Sequence, residues 1–368
     1  MDCTETIRPN NKEFLLQFNK KVAQQRIPLS GSIELTHRCN LRCVHCYLGD
    51  QADLRQNRDK ELDTAQWIAL IDEITEAGCL NLLITGGDPL LKKDFSTIYS
   101  HAKKNGLLVT VFTNGTLINN EHLELFDDLP PRSIEISLYG ATAETYEAIT
   151  GVKGSYEKCL AGIKKLLDHK RYLRLKTILM TINSHEFYEI KNMAKEFGVK
   201  FRFDADIFPC SDGDKSPLAL RVSPEEAIEK EMSDKNLVRD INKLFEKFHE
   251  MPVSDKLYQC GAGATAFHIG PYGNLQPCLM TLRYKYNLLE GNFDEGWRNM
   301  VPLIREKKAS AAFSCNKCEN RSLCHFCPAL FDLENGAEDI CSGYICAGGR
   351  LRYNTYNTMM HNNFLKEG

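Results

Sequence analysis

The sequence has no long apolar run. Its 368 residues contain no stretch of about 18 consecutive apolar side chains, the length that a membrane-spanning helix requires. The first residues, MDCTETIRPNNKEF, also lack the charged and apolar segments of a secretion signal. We therefore expect a soluble, cytoplasmic protein with no membrane partner.

The sequence also lacks a strong excess of charge of either sign. The net charge is −3 and the isoelectric point is about 6.4, which argues against a general affinity for nucleic-acid phosphates. Hydrophobic residues make up 43% of the chain and charged residues 26%, so the chain can fold as one large globular domain with a smaller one. We expect no nucleic-acid partner.

Cysteine, in contrast, is abundant and unevenly placed. Three of the 15 cysteines lie between residues 39 and 46, and eight lie between residues 260 and 346. Because the chain lacks a secretion signal, metal or cluster ligation is a better interpretation than disulfide bonding. Eight thiols equal the ligand count of two fully ligated four-iron clusters. The remaining cysteines are Cys3, Cys79, Cys159 and Cys210.

Short apolar runs alternate with amphipathic segments from residue 32 onward, which predicts βα units around a parallel sheet. Six units are too few for an eight-unit barrel. The predicted strands are 32–37, 80–87, 107–114, 132–140, 172–181 and 199–207, and the predicted helices are 62–78, 93–105, 120–127, 142–149, 155–169 and 185–197.

The pattern changes after the sixth predicted strand. A turn-rich segment at 210–224 precedes a charged helical stretch near 224–250, and the cysteine-rich region begins at 258. We therefore predict four parts: an N-terminal extension over 1–31, an α/β core over 32–207, a linker with a helix over 208–257, and a small cysteine-rich domain over 258–368.

Cys39, Cys43 and Cys46 form a CxxxCxxC motif directly after the first predicted strand. A closed zinc site requires four ligands, whereas three thiolates on a four-iron cube leave one iron open. A zinc knuckle and a fourth-ligand role for His45 are the alternatives. With an aromatic residue after its last cysteine, the motif resembles that of the radical S-adenosylmethionine (radical SAM) superfamily. The resemblance implies an α/β fold, a partial (β/α)6 TIM-like barrel, in which the open iron of a [4Fe-4S] cluster binds S-adenosylmethionine.

The same resemblance implies cofactor contacts at the ends of the next three strands. The segment GGDP follows the second strand, where relatives bind the amino group of S-adenosylmethionine through GGEP. An ordinary βα turn is the alternative for this segment. Tyr139 and Thr150 depart from the family pattern, which often has Asp and Arg there. The predicted cofactor-binding residues are Gly86, Gly87, Asp88, Pro89, Thr113, Asn114 and Ser137.

The sixth predicted strand carries an alternating polar row. Arg202, Asp204 and Asp206 share one face of the strand, opposite Phe201 and its apolar neighbours. If this row faces the inside of the barrel, it borders the substrate. The alternative is that the row lies at a solvent-exposed edge. Asp204, Asp206 and Tyr139 are the catalytic candidates. Lys176 lies on the fifth predicted strand, and Asn183 follows that strand. Each of them either borders the substrate or lies at a solvated edge.

The C-terminal cysteines resemble those of a SPASM domain, an extension of radical SAM enzymes with two auxiliary iron–sulfur clusters. The resemblance assigns Cys260, Cys278 and Cys327 to the first auxiliary cluster, and it assigns Cys315, Cys318, Cys324 and Cys346 to the second. The fourth ligand of the first cluster stays open between Cys341, Cys210, His268 and an open iron. A pair of zinc sites is the alternative for the whole region.

Family resemblance implies reductive cleavage of S-adenosylmethionine to a 5′-deoxyadenosyl radical that abstracts a substrate hydrogen. The predicted substrate is a peptide, and the alternatives are a small molecule such as an amino sugar, or a non-enzymatic metal-binding scaffold. Sulfatase maturases usually carry an aspartate where this chain has Leu279, which argues against that activity.

Partners follow from the same interpretation. A flavodoxin- or ferredoxin-type protein would supply single electrons. A peptide-recognition domain needs roughly 80 residues, and only 31 precede the first predicted strand. We therefore expect a separate recognition protein if the substrate is a leader peptide.

Overall fold

The computed structural model describes residues 11–364, apart from 236, 242, 244–253 and 312. Nine strands within this part of the chain form one sheet, in the order β6-β5-β4-β3-β2-β1-β7-β8-β9. All six predicted strands are present and somewhat shorter than predicted. The strands are β1 Ser30–Glu34, β2 Asn81–Thr85, β3 Leu108–Thr113, β4 Ser133–Ser137, β5 Leu173–Ile178, β6 Lys200–Asp204, β7 Ala266–Ile269, β8 Asn274–Gln276 and β9 Tyr286–Asn287.

Helices follow the strands as the amphipathic pattern predicts. The charged helix predicted at 224–250 begins at Pro224, and its last seven residues lie outside the described residues, as do Cys3 and the rest of 1–10. The helices are α1 Asn11–Gln25, α2 Gln51–Gln56, α3 Thr64–Glu76, α4 Phe95–Lys104, α5 Asn120–Asp128, α6 Ala143–Thr150, α7 Ser155–Asp168, α8 Phe187–Glu196, α9 Pro224–Met232, α10 Phe293–Arg305, α11 Pro328–Asn335 and α12 Gly343–Phe364.

The parallel strands separate an apolar face from a polar one. Ile84, Val111 and Ile136 are fully buried against the helices, together with Trp67 of α3. Successive side chains of a strand point to opposite faces, so the residues between them line the inner, concave face. The predicted α/β class with a parallel sheet is thereby confirmed.

Three strands of the sheet come from the cysteine-rich part of the chain. β7 pairs in parallel with β1, with Ser30 opposite Ala266, and β8 and β9 continue in antiparallel order. Phe267 and Trp297 belong to the same apolar core as Trp67. The sheet therefore crosses the boundary predicted at residue 258. Strands of two to four residues are too short to produce a readable alternation.

A second apolar cluster supports the remaining C-terminal cysteines. Leu257, Ile304 and Phe331 are its most buried members. A buried ion pair links α9 to α12, because the Arg352 guanidinium donates to both oxygens of Glu231, at 2.8 and 2.6 Å. Among the described residues, no helix combines the length and apolar character needed to cross a membrane.

Candidate functional site

The loop that carries Cys39, Cys43 and Cys46 crosses the carboxyl end of the sheet. Backbone hydrogen bonds hold it to the end of α6: the Arg42 N–H donates to the Thr150 carbonyl (2.8 Å) and the Val44 N–H to the Ile149 carbonyl (3.0 Å). The Cys39 N–H donates to Oε1 of Gln51 at 2.7 Å. The three thiols are thus positioned mainly by main-chain groups, which do not depend on side-chain rotamers.

Gly86 and Gly87 let the second loop lie directly against the cysteine loop. The Gly87 N–H donates to the Thr36 carbonyl at 2.8 Å, and the Asp88 N–H to the Arg38 carbonyl at 3.0 Å. A Cβ on Gly86 would lie 2.2 Å from the Thr36 oxygen, and Gly86 has φ +143°, a value that favours glycine. The two glycines thus allow close packing of one loop on the other, and their contact with the cofactor stays a prediction.

The Asp88 carboxylate connects this segment to the end of β3. It is fully buried and accepts hydrogen bonds from Thr113 Oγ1 (2.8 Å), the Asn114 N–H (2.9 Å) and the Leu90 N–H (3.0 Å). Burial raises the pKa of Asp88 to about 6 against the opposing effect of these donors. All described contacts of this side chain lie within the protein, so contact of the segment with an ammonium group stays a prediction. Pro89 begins a short 3-10 turn next to it.

Asn114 continues the same network to the first cysteine. Its Nδ2 donates to Asn40 Oδ1 at 2.8 Å and lies 3.7 Å from the Cys39 sulfur. Thr116 closes the network by donating to Asn114 Oδ1 at 2.6 Å. The ends of β1, β2 and β3 are therefore joined through polar side chains around one thiol.

The three thiols lie in a desolvated environment. Burial raises the pKa of Cys39 to about 12, with the Asp88 carboxylate adding to the effect. Burial also raises the pKa of Cys43 and of Cys46, and for Cys43 the two neighbouring thiols contribute further. Thiolates form here only when a positive charge compensates them, as metal ligation does.

The donor set fits a cluster better than a single ion. No group of three Cys, His, Asp or Glu side chains in the described part of the chain is arranged to hold one metal ion. Each thiolate of a four-iron cube binds a separate iron, so its ligands stand further apart than those of one zinc ion. Three partly buried thiols on one loop therefore match a cube with one iron left for another ligand.

His45 and Tyr139 pack against each other beside the thiols. Their ring centroids are 4.7 Å apart at 75°. Burial lowers the pKa of His45 to about 4, and its Nδ1 is buried without a hydrogen-bond partner in the structure. Burial raises the pKa of Tyr139 above its usual range, so the phenol stays protonated. Tyr139 packs on the cysteine loop, and its catalytic role stays a prediction.

The inner face of the sheet carries a charged group. Arg202 Nε donates to Glu135 Oε2 at 2.9 Å, and Lys176 Nζ lies 3.3 Å from the centre of the Phe112 ring. Lys176 is opposite Ser137 in the register of β4 and β5. Burial and the Arg202 guanidinium lower the pKa of Lys176 to about 7. The polar row of the sixth strand thus shares the inner face with Glu135.

The two aspartates of β6 and its following loop lie at different places. Asp204 is exposed at the sheet edge, and its Oδ1 accepts from the Asp206 N–H at 2.9 Å. Asp206 Oδ2 lies 3.3 Å from Nδ1 of His325, a residue between two C-terminal cysteines. Asn183 is buried and bonds to backbone groups of Tyr139, Ile178 and Met180. Asn183 therefore has a structural position, and Asp206 links the sheet to the C-terminal region.

A cavity of about 350 Å³ lies between the cysteine loop and the C-terminal region. Its lining includes Tyr47, which follows Cys46, and Leu279, which follows Cys278. Glu34, His37 and His268 line it as well. The cavity therefore adjoins both cysteine-bearing regions, and its size is at the lower end of the range of small-ligand pockets.

Glu34 organises the inner wall of this cavity. Its Oε2 lies 2.9 Å from His37 Nε2 and 3.3 Å from His268 Nε2, and Tyr47 donates to its other oxygen. Burial acts to raise the pKa of Glu34, but the two histidines hold it well below its usual range. Sequence reasoning missed Glu34, His37 and Tyr47. The available signal was an acidic side chain inside a buried, apolar strand.

Eight C-terminal thiols separate into two groups in the structure. The first contains Cys260, Cys278 and Cys327. Burial, and then the nearby Cys278 and Cys260 thiols, raise the pKa of Cys327 to about 12, and Cys260 acts on Cys278 in the same direction. The Cys260 carbonyl accepts from Arg305 at 2.7 Å. These mutual effects indicate that the three thiols are neighbours, and their role as cluster ligands stays a prediction.

The second group contains five thiols rather than the four that the resemblance implies. The sulfurs of Cys315 and Cys341 are 3.0 Å apart, and Cys346 also contacts Cys341. Burial and the neighbouring Cys346 and Cys318 thiols raise the pKa of Cys324 to about 12. Cys341 therefore lies with the second group.

None of the three side chains considered as a fourth ligand for the first group lies with it. Cys341 is in the second group. Cys210 donates to the Cys46 carbonyl at 3.2 Å, beside the first cysteine loop. Both ring nitrogens of His268 are used, Nε2 toward Glu34 and Nδ1 toward Ser32 Oγ at 2.9 Å. The sequence could not show which of these three residues lies near the first group, because their positions depend on the tertiary structure.

Comparison with known proteins gives matches along most of the chain. Residues 33–197 match the radical SAM superfamily. The chain is 30% identical over 258 residues to the antilisterial bacteriocin subtilosin biosynthesis protein AlbA of Bacillus subtilis (strain 168), which covers 69% of this chain and 55% of AlbA. The chain therefore spans little more than half the length of that relative.

Two further similar proteins are covered over more of their own length. The AdoMet-dependent heme synthase of Methanosarcina barkeri is 27% identical over 329 residues, covering 84% of this chain and 93% of the synthase. The crystal structure of Streptococcus suis SuiB bound to precursor peptide SuiA is similar with a TM-score of 0.67 at 16% identity, covering 94% of this chain and 83% of SuiB. The likeness to SuiB extends the fold assignment to nearly the whole chain.

Proposed function

We propose that this chain, whose residues 33–197 match the radical SAM superfamily, cleaves S-adenosylmethionine reductively and removes a hydrogen atom from a peptide. The observation that carries the proposal is the three-thiol loop. Cys39, Cys43 and Cys46 lie partly buried on one loop at the carboxyl ends of the parallel strands, where ligands of such sheets bind.

In this proposal the three thiolates hold a [4Fe-4S] cluster with one open iron, whose electron converts S-adenosylmethionine into methionine and a 5′-deoxyadenosyl radical. The protein supplies position and exclusion of water. Gly86 and Gly87 present backbone beside the loop, and Ser137 borders the cofactor from β4. Thr113 and Asn114 act through the network around Cys39.

The substrate would enter the cavity of about 350 Å³ beside Tyr47 and Leu279. The buried Glu34 and the apolar Leu48 form part of the cavity wall and would help to exclude water from a bound substrate. Asp204, Asp206 and Tyr139 are the candidates for proton transfer within the proposal. Asp206 also links the sheet to the C-terminal region, because its Oδ2 lies 3.3 Å from Nδ1 of His325.

Two features support a peptide substrate. AlbA takes part in the biosynthesis of a bacteriocin, and SuiB, which has the same fold, was crystallised with a precursor peptide. A small-molecule substrate is the second candidate. It is favoured by the match to a heme synthase, which covers 93% of that protein, against 55% of AlbA.

The proposal includes two auxiliary iron–sulfur clusters and external partners. Cys260, Cys278 and Cys327 would hold the first cluster with an open iron, and the five-thiol group would hold the second. A flavodoxin- or ferredoxin-type donor would supply electrons, and a separate protein would present the peptide. The grouping of the eight thiols supports the two clusters.

Anaerobic loading with iron and sulfide, followed by an assay for 5′-deoxyadenosine with dithionite, tests the reaction. We expect about twelve irons per chain and formation of 5′-deoxyadenosine. Replacing Cys39, Cys43 and Cys46 together by Ala should abolish product and leave about eight irons. The matched control is Cys79→Ala, which removes a buried cysteine outside these groups.

A fully loaded protein that forms no 5′-deoxyadenosine would contradict the proposal. Bound zinc in place of iron in the C-terminal region would contradict its auxiliary clusters. To separate the two substrate classes, peptides encoded next to this gene and porphyrin precursors can be offered in parallel. Transfer of deuterium from the labelled substrate into 5′-deoxyadenosine identifies the true class.

A further inference from the structure

The five-thiol group contains one thiol more than a four-iron cube needs. A cube binds one protein thiolate at each of its four irons. Cys315, Cys318, Cys324, Cys341 and Cys346 all lie in this group, as described above. One of the five is therefore in surplus when the cluster is bound.

Cys341 has the position of the surplus thiol. Its sulfur lies 3.0 Å from that of Cys315 and also contacts Cys346. Two thiolates on different irons of one cube stand much further apart than this. Cys341 thus duplicates the position of a neighbouring ligand rather than adding a new corner to the cage.

The local chain gives Cys341 more freedom than its neighbours. It lies in the non-helical connection between α11 and α12, with its carbonyl accepting from Asn335 Nδ2 at 3.3 Å. Cys346 lies in the first turn of α12, where its N–H donates to the Ser342 carbonyl at 3.0 Å. Cys341 is therefore next to both Cys315 and Cys346 on a segment that no helix holds.

We propose that Cys341 is a substitute ligand of the second auxiliary cluster, able to replace Cys346 or Cys315 at one iron. The inference rests on the auxiliary clusters of the proposed function. The contacts of Cys341 are with Cys315 and Cys346. We therefore expect substitution at these two corners and none at Cys318.

Iron and sulfide content of the anaerobically loaded full chain tests this substitution. We expect Cys341→Ala, Cys346→Ser and Cys315→Ser each to keep about twelve irons. The double variant Cys341→Ala/Cys346→Ser and the matched control Cys318→Ser should each lose iron to an added chelator that the unmodified chain resists, because only three corners of the cluster keep a thiolate and one iron is open. Circular dichroism of each variant confirms that it is folded before iron is counted.

Electron paramagnetic resonance of the reduced samples gives a second readout. A changed ligand at one iron should alter the signal of Cys346→Ser and leave that of Cys341→Ala as in the unmodified protein. The inference is overturned if Cys346→Ser alone loses as much iron as the double variant. A Cys315–Cys341 disulfide in the loaded protein, detected by mass spectrometry after alkylation, also overturns it.

These outcomes separate the inference from the proposed function. If the unmodified chain binds only about four irons, the auxiliary clusters themselves are refuted. If it binds about twelve and the single variants fail, only the substitution by Cys341 is refuted.

Discussion

The two cysteine-bearing regions are built in opposite ways. At the barrel mouth, three thiols lie within eight residues, and main-chain hydrogen bonds to α6 and to Gly87 hold their loop. In the C-terminal region, eight thiols are spread over residues 260–346, and side-chain contacts such as the Arg352–Glu231 pair hold the segments together. A site that is continuous in sequence is positioned by backbone, and a dispersed site by side chains.

This difference predicts that the two regions can be damaged separately. Side-chain substitutions should release the C-terminal irons and spare the barrel mouth, whereas changes that move the backbone near Gly86 should do the reverse.

Arg352→Met should give the largest loss of stability. It leaves the Glu231 carboxylate buried without its partner, and breaking a buried ion pair costs about 3–5 kcal/mol. We expect this decrease in the free energy of unfolding by urea, with loss of about four C-terminal irons. The barrel-mouth cluster should still form.

The matched control is Arg298→Ala, which removes the exposed pair with Asp294 in α10. Exposed pairs at this spacing contribute only about 0.3–0.5 kcal/mol. Equal costs for the two arginine variants would show that the buried pair does not hold the C-terminal region.

Gly86→Ala should damage the barrel mouth instead. The new Cβ would meet the Thr36 carbonyl oxygen at 2.2 Å, in a backbone conformation that disfavours a side chain. We expect a loss of about 3 kcal/mol in unfolding free energy and a protein that keeps its C-terminal irons but forms little 5′-deoxyadenosine. Iron counting and the cleavage assay measure the two effects.

Gly106→Ala isolates the backbone part of that cost. Gly106 also has a positive φ, +83°, but no atom lies within 4 Å of an added Cβ. It should lose about 1 kcal/mol and keep full activity. If Gly86→Ala is no worse than this control, the close contact with Thr36 does not position the cysteine loop.

The stability of the inner face of the barrel should depend on pH. The lowered pKa of Lys176, about 7, means that the folded chain releases this proton more readily than the unfolded chain does. Stability should therefore rise with pH above about 7, by at most about 1.4 kcal/mol per pH unit. Lys176→Met should lack this rise, and Lys153→Met, at an exposed position, should retain it. Identical pH profiles for all three proteins would contradict the prediction.

The sequence was sufficient to predict the elements whose signals are local. Periodicity and spacing within short windows predict the six parallel strands, their helices and the position of the cysteine loop after the first strand. All of these are present in the structure. The glycine pair at the end of β2 was predicted as a cofactor contact, and its close packing against Thr36 was not predicted.

Features that depend on distant residues could not be predicted. Cys341 has the same chemistry as the other C-terminal cysteines, and only the path of α11 and α12 places it beside Cys315. Glu34 reaches His268 because β7 pairs with β1, and no periodicity in the sequence connects these strands. Asp88 was expected to face a ligand, but its burial against Thr113 depends on the neighbouring strand.

The pairing of β1 with β7 also has a consequence for synthesis of the chain on the ribosome. Ser32 and His268, which face each other across this pair, are 236 residues apart. At about 5–20 residues per second, the second partner emerges roughly 10–50 s after the first. One edge of β1, the strand that leads into the first cysteine loop, must wait unpaired for that time. We expect iron–sulfur assembly at this loop to be largely post-translational, since the sheet beneath it is completed only when most of the chain has left the ribosome.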